Sequence, residues 1–174
     1  MQNQTHPNTT IVDAHCHVGT GRGHSLSADE LLRRMDANEV AAAVIVPTDH
    51  CIAVHNREGN DQMLHAAKAH RGRLIPFATV NPWYGGEAVE ELRRAFDAGA
   101  AGLKLHPVLQ GFSPIDEVAR PVVELAVSMG RPMYFHTGTP VHSTPFQALE
   151  LALRYPEGCF VMGHAAYSDY WNDV

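Results

Sequence analysis

The chain has 174 residues, a formal net charge of -6, and 18% charged against 45% hydrophobic residues. That is the composition of one globular domain, with neither the polarity of a disordered segment nor the basic balance of a nucleic-acid binder. No apolar run reaches the ~18 residues needed to cross a bilayer, and the polar start carries no signal-peptide pattern, so a cytoplasmic protein with a small-molecule partner, not nucleic acid or membrane, is expected. The scattered Cys16, Cys51 and Cys159 fit reduced thiols.

Residues 1–10 read as a flexible N-terminal tail, and residues 11–18 as the first strand. Side chains alternate along a strand, so His15 and His17 face the same way, roughly 7 Å apart. Two neutral imidazoles so placed can bind one metal ion, or simply form a hydrogen-bonded surface pair; the spacing alone leaves both open. Cys16, between them, faces the other side and is expected to pack. Asp13 falls on the histidine face one step deeper, where buried hydrogen bonding is its ordinary role. Residues 19–23, rich in glycine, read as a flexible active-site loop without the Lys-Ser/Thr ending of a phosphate-binding loop.

Ser27 with Glu30 three residues on marks a helix start, and Leu31, Leu32 and Met35 give it an apolar face up to Asn38. Strands follow at 41–46, 74–80, 102–107, 133–136 and 159–164, and further helices at 57–70, after Gly85-Gly86, at 116–129 and at 145–155. Six short strands without a polar face, alternating with five helices, predict a parallel sheet buried on both sides. An open doubly wound sheet and a barrel both satisfy this pattern. The polar residues favour the barrel: His15 and His17, Lys104 and His106, His136, and His164 all fall at carboxyl ends of strands, where barrels carry their chemistry. The expected fold class is α/β, a (β/α)8 TIM barrel truncated after the sixth strand and occupying residues 11–174. His6, His24, His50, His55, His65, His70 and His142 fall on the tail, loops or helices and read as background, with His24 and His142 as loop contacts.

Four segments, Val12-Asp-Ala-His-Cys-His17, Gly102-Leu-Lys-Leu-His-Pro107, Tyr134-Phe-His-Thr-Gly138 and Val161-Met-Gly-His164, in this order resemble the amidohydrolase superfamily. Within it they are similar to the branch of amidohydrolase 2 and the aminocarboxymuconate-semialdehyde decarboxylases. The resemblance spans essentially the whole chain after the tail. It implies one divalent metal ion, zinc, held by His15, His17 and His136. It further implies His164 as the residue that orients or deprotonates the water on that ion, with Lys104 and His106 lining the substrate pocket. Lys104 shares a face with His106, so a carboxylated, metal-bridging lysine is an alternative to a free cation. Arg22 is a further cation for a substrate carboxylate.

The expected function is a metal-dependent hydrolase of a small ester, lactone or amide acting through a metal-activated water. A decarboxylase of a small aromatic or unsaturated acid is the alternative, and an incomplete fragment that only binds metal or partners is the reading from another class. A complete barrel takes about 250 residues, and this chain stops within the helix expected after the sixth strand. The resemblance's metal-ligating aspartate after strand eight therefore has no counterpart, and Asp169 and Asp173 cannot be given that role. The exposed edges of a six-stranded sheet invite pairing with a second copy as a homo-oligomer.

Overall fold

The computed structural model describes residues 10–140 and 142–166. Its strands are β1 (Ile11–His17), β2 (Gly19–Thr20), β3 (Ser25–Leu26), β4 (Val40–Val46), β5 (Leu74–Thr79), β6 (Gly102–Leu105), β7 (Met133–His136) and β8 (Phe160–Gly163). Its helices are α1 (Ala28–Ala37), α2 (Asp49–Ala53), α3 (Asn56–Ala69), α4 (Gly86–Asp97), α5 (Pro107–Gln110), α6 (Arg120–Ser128) and α7 (Pro145–Arg154). Among the described residues no helix is long and apolar enough to cross a membrane. The predicted tail, apart from Thr10, lies outside the described residues, as do Asp169 and Asp173.

Six strands form one parallel sheet in the order β1-β4-β5-β6-β7-β8. Each neighbour in that order is the next main strand along the chain, the pattern that repeated right-handed crossovers produce. The sheet curls strongly. Although β1 and β8 are its two edges, the His15 ring on β1 lies 5.5 Å from the His164 ring that follows β8, centroid to centroid. The architecture is a (β/α) barrel carried through six strands.

Most of the core lies between the sheet and its helices. Leu92 and Phe96 of α4 and Val122 and Val123 of α6 pack on Leu103, Leu105, Met133 and Phe135. Leu31 and Met35 of α1 pack with Met63 of α3 on Ala43 and Ile45. A smaller group, Val46, Phe77 and Tyr134, forms a separate cluster. Burying such side chains supplies about 1.5–3 kcal/mol each before entropy is counted. At the open edge, Ile11 and Val12 remain about half exposed, at 47% and 50%.

Local signals set the boundaries. Ser27 Oγ accepts from Glu30 N at 3.2 Å and starts α1, as its position three residues before the glutamate predicts. Elsewhere the structure departs from the sequence reading. Residues 19–23 belong to a short hairpin in which β2 and β3 pair antiparallel. The helix expected from 116 begins at Arg120, because the Asp116 carboxylate accepts from Ser113 N at 2.7 Å and closes a turn first. Helices α2 and α5, of five and four residues, are additional to the predicted ones.

Candidate metal centre

Strand β1 reaches the site through an irregularity. Asp13 pairs with Ala43 and Cys16 with Ile45, so β1 advances three residues while β4 advances two. The extra residue loosens the ladder there, and the Asp13 carboxylate accepts from the His15 backbone N–H at 3.0 Å. The bulge breaks the simple alternation and places Asp13, exposed, beside the Cys16 thiol, so Asp13 does not take the buried hydrogen-bonding role expected of it. Burial first, and then this carboxylate, raise the thiol to about 12. Cys16 packs against the α1 and α3 side of the sheet, as its place between the histidines predicts.

His15 and His17 do converge, with ring centroids 4.7 Å apart and planes at 69°. His17 Nδ1 lies 2.8 Å from Pro47 O. A carbonyl only accepts, so Nδ1 carries the proton and Nε2 keeps its lone pair for the site. His15 Nε2 is buried without a hydrogen-bond partner. Across the barrel, His136 at the end of β7 and His164 after β8 approach to 4.9 Å between centroids, and His164 stands 5.5 Å from His15. Thr137 Oγ1 donates to Gly163 O at 2.6 Å and ties together the strand ends that carry these two rings. His164 and Ala165 both adopt left-handed backbone, with φ of 62° and 46°. Such conformations cost non-glycine residues energy and concentrate at functional sites.

His106 follows β6 and caps α5, where its Nδ1 accepts from Leu109 N at 3.2 Å. A neutral His106 therefore presents an Nε2–H donor, and its ring lies flat on His136 with centroids 3.9 Å apart. The backbone N–H of His106 donates to Gln110 Oε1, while Gln110 Nε2 donates to Ile52 O and Val80 O. One buried carboxamide thus joins the ends of β5 and β6 to α2. Lys104 is fully buried beneath this group, with Nζ 4.4 Å from the centroid of Tyr134 and no hydrogen-bond partner. Arg22, in contrast, is exposed on the hairpin and lines a crevice with Asp49, His50, Ala53, Val54 and Leu109.

The electrostatics keep the imidazoles neutral. Burial, followed by the Lys104 charge, lowers His15 to about 2 and His106 to about 4. Burial, then His106 and Lys104, lower His136 to about 3. His17 and His164 shift down for the same leading reason, burial. Lys104 itself falls to about 7 through burial.

Neutral imidazoles with free lone pairs are the protonation state that metal ligands need. Two imidazoles sharing a tetrahedral ion through nitrogens about 2 Å from it have ring centroids roughly 5 Å apart. Of the expected ligands His15, His17 and His136, the His15–His17 pair matches that spacing, and His164 stands at a similar distance from His15 and from His136. Among the described residues, no group of three or more His, Cys, Asp or Glu side chains is placed to hold a metal ion. The donor types, neutral imidazoles with one buried nitrogen, His15 Nε2, lacking a partner, are those a divalent ion requires.

Sequence reasoning missed Tyr134, which reads as an ordinary core aromatic, and Gln110, which carries no local signal. It set His24 aside as a loop contact. The hairpin brings the His24 ring to 6.3 Å from His17, and only the strand pairing of β2 and β3 reveals this.

The amidohydrolase family model matches residues 12–173. The chain belongs to the amidohydrolase family. A putative amidohydrolase from Staphylococcus aureus superimposes with a TM-score of 0.77 at 16% identity, over 95% of this chain and 70% of that one. A 5-carboxyvanillate decarboxylase from Novosphingobium aromaticivorans, in complex with manganese and a nitrobenzoic acid, gives 0.74 at 17% identity, over 94% and 68%. The 4-oxalomesaconate hydratase of Rhodopseudomonas palustris gives 0.72 at 18%, over 94% and 66%. The chain thus spans about two thirds of the length of these structures, and at such identities the likeness concerns the fold. No curated protein matches the chain by sequence.

Proposed function

We propose that this amidohydrolase family member binds one divalent ion, zinc, through His15, His17 and His136, and hydrolyses a small ester, lactone or amide. The observation that carries the reading is the His15–His17 pair, in which the bond to Pro47 O directs the His17 Nε2 lone pair toward the site beside an unpartnered His15 Nε2. When bound, the ion supplies a Lewis acid that polarises a substrate carbonyl and brings the pKa of a water to about 7. His164, whose pKa is lowered by partial desolvation and by the Lys104 charge, accepts the proton of the attacking water and returns it to the leaving group. His106 donates from Nε2–H to a substrate oxygen. Arg22 attracts a substrate carboxylate to the mouth of the site, and Lys104 adds positive potential from beneath. The family match, the neutral histidine set and the manganese in the decarboxylase neighbour all support a metal-dependent reaction.

Decarboxylation is the second reading, and the buried Lys104 ammonium, which has no acidic partner among the described residues, favours it. A carboxylate drawn toward that charge would lose carbon dioxide, with a proton delivered to the carbon left behind. The two are separated by measuring acyl cleavage and carbon dioxide release from lactones and aromatic acids with zinc- and manganese-loaded protein. Acyl cleavage that is abolished in His164→Ala supports hydrolysis. Carbon dioxide release without acyl cleavage rejects it in favour of the second reading. Absence of metal binding after supplementation rejects both.

A further inference from the structure

The histidines of the cluster are not all held in the same way. His17 is fixed by a hydrogen bond to Pro47 O, and His106 by one from Leu109 N. Metal-ligating histidines generally depend on such a second contact to set tautomer and ring plane. Among the described residues His15 makes no ring hydrogen bond. Its imidazole instead lies on the face of Tyr134, with centroids 4.5 Å apart and planes at 26°.

Tyr134 is well placed to act as a rigid surface. It is 7% exposed and packs in the cluster with Val46 and Phe77. Lys104 Nζ lies 4.4 Å from its ring centroid, within the range of a cation–π contact. Its edge rests against Gly163, where an added Cβ would stand 2.5 Å from Tyr134 Cε1 and 2.7 Å from Cζ. The ring can occupy this position only because residue 163 has no side chain. Strands β6, β7 and β8 therefore jointly define the plane on which a histidine of β1 rests.

We propose that Tyr134 is the positioning residue of His15: its ring face sets the plane in which the imidazole presents Nε2 to the cluster. The proposal rests on the reading of His15 as a metal ligand, and the role concerns the ring, not the phenol hydroxyl. Phenylalanine therefore preserves it and leucine does not.

The test compares full-length wild type, Tyr134→Phe and Tyr134→Leu by zinc titration against a chromogenic chelator, by thermal unfolding, and by NMR of the His15 ring protons without metal. In the wild type those protons should be displaced upfield by the tyrosine ring current, and the displacement should persist with phenylalanine and vanish with leucine. The leucine variant should lose zinc affinity by about ten- to hundredfold, with phenylalanine within about twofold of wild type. An unshifted wild-type His15 signal overturns the proposal, as does a phenylalanine variant that falls as far as leucine or a folded leucine variant that binds zinc like wild type. If the leucine variant does not fold, the wild-type ring-current shift and the phenylalanine comparison still decide. If the wild type binds no zinc, the metal reading fails, while the NMR comparison tests the Tyr134 contact separately.

Discussion

His106 and His136 lie face to face, their ring centroids 3.9 Å apart and their planes 11° from parallel. One ring is pinned by Leu109 N and so limits the freedom of the other. Replacing His106 with alanine removes both the stack and the cap of α5, and zinc affinity should fall about tenfold as His136 gains freedom. His106→Phe keeps a ring but loses the Nε2–H donor, so affinity should stay near wild type while turnover falls. Zinc titration alongside steady-state kinetics separates the two effects, and equal affinity in the alanine variant would show that the stack does not position His136.

The metal-free chain should lose stability as pH falls below neutrality. His15, His106 and His136 have folded pKa values of about 2, 4 and 3, lowered mainly by burial. In the unfolded chain histidine titrates near ~6.5. Between these values the unfolded state takes up protons that the folded state refuses, so the contribution is complete above about 6.5 and declines steadily below it. Urea midpoints of the chelator-treated protein should fall from pH 7.5 to 5, and a flat profile would contradict the burial of these rings. Saturating zinc should oppose the fall, because protons and metal compete for the same nitrogens.

Lys104 carries a cost of the same kind. Its folded pKa near 7 lies below the unfolded value of ~10.5, so its contribution to stability is lost as pH falls from the higher value to the lower. Lys104→Met should stabilise the protein at pH 7 by roughly 1–4 kcal/mol, taking as a guide the gain when a buried ion pair gives way to apolar groups of similar volume. Chemical denaturation at pH 7 measures this directly. Catalysis should weaken in the same variant, since function retains charges that stability alone would discard.

Gln110 offers a test of how the site is held together. Its carboxamide bonds to His106 N, Ile52 O and Val80 O. Gln110→Ala leaves His106 N and Val80 O without these bonds, while Ile52 O keeps the one from Asn56 Nδ2, and the loss should be about 1–3 kcal/mol for the first group left unsatisfied. An unfolding midpoint unchanged from wild type would show that water replaces the bonds to His106 N and Val80 O.

The alternation of strands and helices was legible because strands buried on both faces are nearly continuous apolar runs, as in 41–46 and 102–105. The histidine set was legible because its members stand at strand ends, where core packing gives them no reason to be. The β1 bulge was hidden, since it exists only relative to the register of β4. Helices α2 and α5 were missed because a single turn is too short for periodicity to register. Tyr134 was overlooked for a different reason: an aromatic two residues before a strand-end histidine looks like packing until the sheet curls and brings β1 across to meet it.

That curl also orders events in time. The contact of His15 with His164 joins opposite ends of the described chain and opposite edges of the sheet. Contacts between such remote segments carry a large loop-closure cost, and chains that depend on them fold slowly. The histidine cluster therefore acts as a clasp, and an ion added during refolding should speed recovery only in its final phase.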